Sequence, residues 1–457
     1  MANTYTIRSV SSAETFNKLT VSCWFKGMAD GTQRAIWGIY NTSSTNEFFG
    51  LYYSSNGSLY GYWKQDGSLV FTLGTMQKFY DPNAWYNFVM SVDTTLATAS
   101  DRVKFYLNGE RITVFEDSLD TITQNKNIDL LNDANGKTQW GGNIISGTQY
   151  YWNGSMSHCH MCVGYAYDAS AFGLTDSTTG EWKINTSPNV QYGTNGGFWF
   201  KDGNQLTDSS TNSNTLTVGA GTLTKTEDCP SNVFATLNPL GYAASANYTL
   251  ANGNTAKTTT GTTNAWRSAY GTIGASSGKY YFELKVTGRE SSDPGNMFVG
   301  IVDSEQMKNE SSNERFVKQS RGYGFHAKGY KENNSNNTSY GSSWHTVGDI
   351  IGCAVDLDNG KIYFSKNGSW QESGDPTSGS TGTGSAFNVT SGYTYLPLMA
   401  QYYGAEQFAM NFGNGYFGTT AVATNSGNGY QDADGNGIMN YSVPTNYRCL
   451  CTKGLNQ

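Results

Sequence analysis

The sequence predicts an all-β protein made of two antiparallel β-sandwich domains, and three observations support this prediction. Apolar residues alternate with polar residues along short runs, which is the pattern of strands that bury one face. Asn-Gly pairs, which favour tight hairpin turns, follow two of these runs. No stretch combines a sustained helical period of apolar residues with capping residues. A helical protein and a coiled coil are therefore excluded.

The alternating runs occur in both halves of the chain. Asn108-Gly109 follows one run in the first half, and Asn367-Gly368 follows another in the second half. A short helical turn is expected only near Asp168–Phe172. The side chains that we expect in a core are those of Leu19, Val21, Cys23, Phe25, Tyr86, Phe88, Met90, Val92, Val103, Phe105, Leu107, Tyr280, Phe282, Leu284, Val286, Ile362 and Phe364.

The composition excludes several classes of protein. Charged residues make up 14% of the 457-residue chain, against about a quarter in typical soluble proteins. Aromatic residues make up another 14%, which is too many for a disordered chain. The net charge is −7, so we expect no positively charged surface for nucleic acid or an anionic membrane.

The termini and the cysteines indicate where the chain is made. The N-terminal sequence MANTYTIRSV lacks the apolar segment of a signal peptide, and no run is long and apolar enough to span a membrane. The seven cysteines are an odd number scattered along the chain, which argues against a disulfide framework. We therefore expect synthesis in a reducing cytoplasm and no membrane insertion, although the weakly charged, Tyr-rich surface is typical of exposed appendages.

A change in composition marks a domain boundary near the middle of the chain. Ser, Thr, Asn and Gly dominate Thr207–Gly221, and Asp228-Cys-Pro-Ser-Asn leads from there towards Asn238-Pro239. Such composition is typical of loops and boundaries. We therefore expect a connecting stretch at about residues 205–245, a first domain at residues 1–229 and a second at residues 241–457.

Several segments of the first half carry a family resemblance. They are Leu19–Lys26, Trp85–Val89, Val103–Gly109, Gly154–Ser157, Ala171–Asp176, Tyr192–Gly197 and Asn232–Pro239. In these segments the first half resembles the laminin-G-like, concanavalin A-like lectin/glucanase domains of tailed-phage virion proteins of the marine type. Relatives begin with a longer first strand, so a neighbouring subunit is a candidate to close the edge of that sheet here.

The second half carries a different resemblance. Its segments are Gly278–Val286, Val299–Ile301 and, most specifically, Gly348–Gly368. In these segments it resembles a SPRY domain, and Tyr441–Leu455 is similar to the closing segment of the same phage proteins. The two resemblances imply two antiparallel sandwiches of the concanavalin A-like jelly-roll type.

The resemblances also imply a function. They imply a non-enzymatic structural protein of a phage virion, exposed as a tail or head fibre or as a capsid decoration, that serves adhesion or particle assembly. The implied partners are other virion proteins and a host cell-surface glycan or protein, contacted by multiple copies and with a homo-oligomer as one form. Synthesis in the host cytoplasm and exposure on the particle would reconcile the missing signal peptide with the surface composition. A lectin for a host-surface glycan is the alternative, and a glycan depolymerase is less favoured.

No arrangement of catalytic residues emerges from the sequence. Glycoside hydrolysis needs two carboxylates that face a cleft, and a sandwich glucanase is expected to carry them as Glu-x-Asp-x-x-Glu on one strand. The nearest cluster, Glu116-Asp117 with Asp120, has a different spacing. We assign no catalytic residue and expect that the protein is not an enzyme.

Two segments contain metal-binding residue types. In His158-Cys-His-Met-Cys162, alternate residues of a strand would share a face and could offer three ligands to zinc. The resemblance implies an ordinary strand there, in which Cys and Met pack as apolar residues. Asp432, Asp434 and Asn436 match the first oxygens of a calcium loop, but Val443 stands in place of its bidentate Glu. We therefore expect no cofactor, with calcium at these three residues as the alternative.

Aromatic residues supply the candidate contact surfaces. Tyr and Trp give rigid, amphipathic contact area, and SPRY domains bind through loops at one end of the sandwich. The alternative for each ring is packing in a sheet core, because aromatic residues favour strands. The predicted contact residues are Tyr62, Trp63, Tyr151 and Trp152 in the first domain and Trp266, Arg267, Tyr330 and Trp344 in the second, with Tyr402-Tyr403 as a further cluster.

Overall fold

A computed structural model gives the fold of the chain. It describes residues 3–27, 32–44, 46–116, 122–201, 205–239, 248–259, 264–290, 295–309, 315–422 and 430–455. The chain divides into two compact units, Met1–Lys225 (unit 1) and Thr226–Gln457 (unit 2). Strands account for 45% of the structure and helices for 5%, so the predicted all-β class is confirmed.

Unit 1 is a sandwich of two antiparallel sheets. Sheet A has the strand order β17-β1-β10-β3-β4-β5-β6, sheet B has the order β16-β13-β2-β7-β8-β9, and two hairpins, β11-β12 and β14-β15, accompany them. Short 3-10 helices span Ala99–Asp101 and Ala169–Ala171, the second where the sequence predicted a turn. The strands are β1 (Tyr5–Ser9), β2 (Lys18–Gly27), β3 (Arg34–Asn41), β4 (Phe48–Tyr53), β5 (Leu59–Gln65), β6 (Ser68–Gly74), β7 (Tyr86–Asp93), β8 (Val103–Leu107), β9 (Glu110–Ile112), β10 (Gly136–Trp140), β11 (Gly142–Ile145), β12 (Thr148–Tyr151), β13 (Gly154–Val163), β14 (Gly173–Thr175), β15 (Trp182–Ile184), β16 (Gly197–Trp199) and β17 (Thr217–Ala220).

The core of unit 1 lies between sheets A and B. Sheet A contributes large rings, among them Trp37, Phe49 and Trp63, and sheet B contributes the alternating side chains of β2, β7 and β8. Every predicted core residue of this unit lies in or against that cluster, with Tyr86 and Leu107 half-buried beside it. Burial of a large apolar side chain stabilises a fold by about 1.5–3 kcal/mol, so this cluster is the main source of the unit's stability.

Strand β17 closes the edge of sheet A within the same chain. Thr6 pairs with Val218 and Ile7 with Thr217, and the Thr217 hydroxyl donates to the Ile7 carbonyl over 3.0 Å. The expected closure by a neighbouring subunit is therefore wrong for this edge. Part of the polar stretch before residue 225 pairs as strand β17, although its composition is that of a loop.

Hairpin β11-β12 covers the outer face of sheet A. The buried Asn143 side chain donates from Nδ2 to the Tyr52 hydroxyl over 2.5 Å and to the Phe49 carbonyl over 3.4 Å. Its amide lies directly over Gly38, where an added Cβ would stand 1.9 Å from Nδ2. A glycine is therefore needed at this position for the hairpin to approach the sheet.

Unit 2 is a second antiparallel sandwich. Sheet C runs β18-β19-β31-β21-β26-β27-β28, with β29 paired to β27, and sheet D runs β20-β30-β22-β23-β24-β25. The strands are β18 (Tyr248–Ala251), β19 (Ala256–Thr259), β20 (Arg267–Tyr270), β21 (Lys279–Gly288), β22 (Met297–Asp303), β23 (Gly322–His326), β24 (Tyr330–Asn333), β25 (Asn336–Ser339), β26 (Ile350–Asp356), β27 (Lys361–Lys366), β28 (Ser369–Trp370), β29 (Phe387–Asn388), β30 (Tyr395–Gln401), β31 (Gln407–Asn411), β32 (Tyr416–Phe417) and β33 (Thr420–Ala421). The helices are the 3-10 turns Gln306–Asn309, Phe316–Lys318, Gln371–Ser373 and Gly379–Thr381 and the one-turn α-helix Thr452–Leu455.

The core of unit 2 lies between sheets C and D and contains the side chains that the alternation predicted, Tyr280, Phe282, Leu284, Val286, Ile362 and Phe364. At the predicted Asn367-Gly368 turn both φ angles are positive, 49° and 84°, as they are at Asn108-Gly109, 45° and 87°. These turns join β27 to β28 and β8 to β9, so the hairpin predictions are confirmed. All seven cysteines are free thiols, as the sequence predicted.

The C-terminal segment is fixed to sheet C by a buried carboxylate. Glu283, on β21, accepts hydrogen bonds from the backbone N–H groups of Asn440 and Tyr441, each over 2.8 Å. It also accepts from the Asn411 amide over 3.2 Å and from the Tyr281 hydroxyl over 3.1 Å. Burial raises the pKa of Glu283 to about 7, and these four hydrogen bonds partly oppose that rise.

In the part of the chain that the structure describes, no helix is long and apolar enough to cross a bilayer.

We predict that Glu283→Gln flattens the pH dependence of stability. The pKa of Glu283 is higher in the folded chain than in the unfolded chain, so the folded state holds the proton more tightly and stability falls as the pH rises from about 4.5 to about 7. Between these limits the wild type should lose roughly 3 kcal/mol that the variant does not lose, since one pKa unit corresponds to about 1.4 kcal/mol. Urea unfolding at a series of pH values measures this difference. Glu372→Gln, at an exposed carboxylate, is the control, and equal slopes for Glu283→Gln and the wild type would contradict the prediction.

We predict that Gly38→Ala destabilises unit 1 by about 1–3 kcal/mol, the usual cost of overpacking, because the new methyl group overlaps the Asn143 amide. Asn143→Ala removes that amide, so the double variant should be more stable than the sum of the two single effects predicts. Urea unfolding followed by tryptophan fluorescence measures all three variants. If the effects of the two substitutions on the free energy of unfolding simply add, the prediction is wrong, because the Asn143 amide would then not be the group that the new methyl overlaps.

Candidate binding surfaces

Four of the eight predicted contact residues lie inside the sandwiches. Trp63 and Trp344 have no exposed surface, and Trp152 and Arg267 are nearly as buried. Trp63 stacks on Phe49 with ring centroids 5.5 Å apart. Such rings cannot be presented to a ligand in this structure. The position of Trp63 follows from strand alternation, because only one of the two neighbours Tyr62 and Trp63 on β5 can face outward.

The other two predicted residues of unit 1 are half-buried, and each packs against a neighbouring ring. The Tyr62 ring packs edge-on against Phe48, with centroids 5.0 Å apart. The Tyr151 ring lies 5.9 Å from that of Tyr5. The Tyr62 ring therefore serves as cross-strand packing on sheet A, and the Tyr151 ring packs hairpin β11-β12 against strand β1.

In unit 2 the structure brings Trp266 and Tyr330 together on the outer face of sheet D. Both rings pack on Phe298, with centroid distances of 5.4 and 6.2 Å. Tyr402, from the predicted Tyr402-Tyr403 cluster, lies 5.5 Å from Trp266. Trp266, Tyr330 and Tyr402 each keep part of their surface exposed. We call these residues, with Phe298, Arg315 and His326, the aromatic platform.

Arg315 fixes the platform from one side. Its guanidinium carbon lies 4.9 Å from the centre of the Trp266 ring and 5.7 Å from that of Phe298. Its Nε and Nη2 atoms both donate to Oε1 of the fully buried Glu332, over 3.0 and 2.8 Å. A cation that is paired and stacked in this way is held in one orientation. The positive charge is balanced, so the platform is not a site for free anions.

His326 orients the Tyr330 ring, and Glu406 holds the loop that carries Tyr402. The His326 ring stacks on Tyr330, with centroids 4.0 Å apart, and its Nδ1 accepts the Lys328 N–H over 3.0 Å. Glu406 is buried and accepts backbone N–H groups from two loops, those of Gly295, Asn296, Tyr402 and Tyr403. Burial raises the pKa of this carboxyl, and the four N–H donors oppose the rise. The loop that carries Tyr402 is therefore rigid.

The platform includes residues that the sequence did not single out. Arg315, Phe298 and His326 come from separate elements of sheet D and its connections. No local motif surrounds them, and only the antiparallel pairing of β22 with β23 brings Phe298 opposite His326. In the sequence, the residues that point to this platform are Trp266, Tyr330 and the Tyr402-Tyr403 pair.

The His-Cys run on β13 is a packed strand. A bulge at His158, whose φ is 47°, interrupts the pairing of β13 with β2. His160 stacks on Phe198 at 4.0 Å, and its Nδ1 is 3.0 Å from the Tyr192 hydroxyl. Burial, and to a lesser extent His158, lowers the pKa of His160 well below its ordinary value. Among the described residues no three His, Cys, Asp or Glu side chains are grouped to hold a metal ion.

The calcium-like segment has its carboxylates engaged by protein donors. Asp432 accepts the backbone N–H groups of Asp434, Asn436 and Cys449, over 3.0, 2.7 and 2.9 Å. Asp434 forms an ion pair with Arg448, 2.5 Å from its Nε. The segment therefore works as a turn that holds the chain at Arg448 and Cys449, and these contacts occupy oxygens that a calcium ion would need.

Glu116, the described member of the acidic cluster considered for hydrolysis, forms an ion pair with Lys78. Glu116 contacts Lys78 and the Tyr60 hydroxyl and accepts the Ser58 hydroxyl over 3.1 Å. The hydrogen bonds from Lys78 and Tyr60 lower the pKa of Glu116 to about 2, the opposite of what a general acid requires. The other two members of the cluster, Asp117 and Asp120, lie outside the described residues.

Two family models match parts of the chain, one in each unit. The concanavalin A-like lectin/glucanases superfamily model, of the laminin G type, matches residues 2–160. The SPRY domain model matches residues 279–415. Among curated proteins, ATP-dependent RNA helicase DDX1 of Xenopus laevis is 33% identical over 103 residues, which cover 22% of this chain and 12% of the helicase. The match thus spans a small part of that relative.

Several solved structures are similar to part of this chain at low sequence identity. The SPRY domain of human HERC1 is 18% identical, with 36% of this chain and 91% of that chain covered and a TM-score of 0.28. The Ruminococcus gnavus IT-sialidase CBM40 bound to α2,3 sialyllactose is 16% identical, with 34% and 80% covered and a TM-score of 0.25. The heptameric SAP-like pentraxin of Limulus polyphemus is 14% identical, with 48% and 90% covered and a TM-score of 0.29. On the two family matches, the chain carries a concanavalin A-like, laminin G-type domain at residues 2–160, followed by a SPRY domain at residues 279–415.

Proposed function

We propose that the protein is a non-enzymatic binding protein of a tailed-phage virion, exposed on the particle as a fibre component or a capsid decoration. The aromatic platform of unit 2 carries the proposal of binding. Its partly exposed rings are held by a stacked, neutralised Arg315 and by the buried carboxylates Glu332 and Glu406. Rigid aromatic area of this kind is typical of interface centres.

The partner that suits this platform is a protein surface. The platform is mostly aromatic and its single cation is paired, so it offers contact area and few free charges. Interface centres are depleted of charge and enriched in Tyr, Trp and Arg. We infer contact with other virion proteins or with a host-surface protein, made by multiple copies whose weak contacts add through linkage.

The virion context rests on the resemblance of particular segments to phage proteins. Those segments fill defined roles in the fold, since Asn232–Pro239 and Tyr441–Leu455 pair with each other at Phe234 and Cys451. Synthesis in the host cytoplasm would suit seven free thiols. No cofactor is part of the proposal.

A lectin for a host-surface glycan is the second candidate, and the first domain's family favours it. Exposed rings with neighbouring hydroxyl and amide groups can bind a sugar. A glycan depolymerase would require a pair of carboxylates facing a cleft, and Glu116 is instead tied to Lys78 and Tyr60.

We predict that Trp266→Ala in the full chain lowers adsorption to its partner by about tenfold or more, the usual effect of removing a central ring. Adsorption of the labelled chain to host cells and to particles that lack it measures the effect. Tyr80→Ala, at an exposed ring of unit 1, is the matched control. Immuno-electron microscopy of purified particles tests the context, and absence of the chain from them would refute the virion role.

A direct assay separates binding from catalysis. The full chain, incubated with host polysaccharide, should release no reducing ends above the level of a heat-denatured sample. Release that follows the concentration of folded protein would refute the non-enzymatic proposal and favour the depolymerase.

A further inference from the structure

The hairpin β24-β25 forms one edge of sheet D in unit 2. Its two-residue loop, Asn334-Ser335, has positive φ angles of 50° and 61°, as a type I′ turn requires. All the residues of β25, Asn336–Ser339, are exposed. Among the described strands only β24 pairs with β25. The other side of β25 is therefore an open sheet edge.

The register of the hairpin decides which backbone groups face this open edge. Asn333 and Asn336 flank the two-residue turn, and such a flanking pair is hydrogen-bonded. Hydrogen-bonded and non-hydrogen-bonded pairs then alternate along the two strands. Asn337 and Ser339 therefore direct their N–H and C=O groups away from β24, and no loop of the described residues bonds to them. A row of such groups is a template for another extended strand.

Charged side chains do not guard this edge, whereas they guard the edge of sheet B. Edge strands usually carry charges that repel a second strand, and β9 exposes Glu110 and Arg111. β25 contains no charged residue. On its neighbour β24, the Lys331 ammonium donates to the Ala386 carbonyl, and Glu332 is fully buried. A strand that pairs with β25 therefore meets an uncharged edge.

A second copy of β25 is complementary to the first. When two copies run antiparallel about a two-fold axis at Thr338, Asn337 of each copy lies opposite Ser339 of the other copy. Each of these pairs can exchange two backbone hydrogen bonds, which satisfies every open group. Opposed Thr residues stabilise a sheet, and the Asn337 amide can hydrogen-bond the Ser339 hydroxyl. No like charges meet across the axis.

We propose that β25 is a self-association edge, through which two copies of the chain join their sheets D into one continuous antiparallel sheet. The two-fold axis of such a pair is perpendicular to the sheet, so both aromatic platforms lie on the same face. Tyr330 of the platform is opposite Ser339 in the register, which places each platform beside the joined edge. The inference rests on the binding function proposed above and gives its multiple copies an arrangement. Two platforms on one face would bind a repetitive partner more tightly than one.

We expect the association to be weak in solution. Two short strands bury less than the roughly 1,200 Å² that stable complexes bury, so the Kd should lie between about 10 µM and about 1 mM. Copies held together in a larger assembly experience an effective concentration of about 1 mM. The edge would therefore be largely unpaired in dilute solution and paired in the assembly.

Analytical ultracentrifugation of the full chain, from about 5 µM to about 0.5 mM, tests the proposal. The wild type should shift from monomer towards dimer over this range. Asn337→Pro removes an N–H that faces the open edge and leaves the hydrogen bonds to β24 in place, so it should raise the Kd about tenfold or more. Thr338→Lys should also raise the Kd, because like charges would then face each other. Thr420→Lys, at an exposed position on β33 of the same unit, is the matched control and should associate as the wild type does.

A mixture of two variants tests the register. Thr338→Glu should weaken self-association as Thr338→Lys does, and an equimolar mixture of the two should associate more strongly than either variant alone, because Lys then faces Glu. Asn337→Pro is the variant that could misfold, and the two Thr338 variants, at an exposed position, decide the outcome without it.

Three results would overturn the proposal: a wild type that stays monomeric throughout the range, self-association of Thr338→Lys equal to that of the wild type, or a mixture that gains nothing. These measurements use the purified chain alone. Adsorption through Trp266, and so the proposed function, is decided separately by its own experiment on cells and particles.

Discussion

Both units depend on one constraint, the burial of alternate side chains between two antiparallel sheets. In unit 1 the inward positions of β2, β7 and β8 meet the large rings of sheet A, and in unit 2 those of β21 and β27 meet sheet D. Because the side-chain period of a strand is two, filling the core also decides which residues face outward. Every candidate contact surface is made from what this rule leaves outside. It explains why Trp63 on β5 is buried while its neighbour Tyr62 keeps part of its surface exposed.

A second principle organises the segments between the strands. A chain with few charged residues places several carboxylates inside, where each accepts backbone N–H groups from irregular segments. Asp208 accepts those of Phe198, Ser210 and Asn214, and Glu406 and Glu283 do the same in unit 2. Buried N–H groups must find acceptors, and a single carboxylate can satisfy several. These acids are therefore part of the scaffold.

The sites could be predicted only in part. Trp266, Tyr330 and the Tyr402-Tyr403 pair were recognisable because aromatic residues near strand ends are candidates for contact. Arg315 and Phe298 were not recognisable, since the contact that unites them with Trp266 joins residues distant in sequence.

The sequence by itself determined the fold class, the core faces and the hairpin turns, because these follow from local period and from the backbone freedom of Asn-Gly. It also carries the two family matches, at residues 2–160 and at residues 279–415. Only the tertiary structure decided that β17 closes sheet A, that Asn143 covers its outer face, and that Glu283 holds the C-terminal segment. These features depend on pairing between distant residues, and a local pattern carries no information about which distant partner a strand, an amide or a carboxylate will meet.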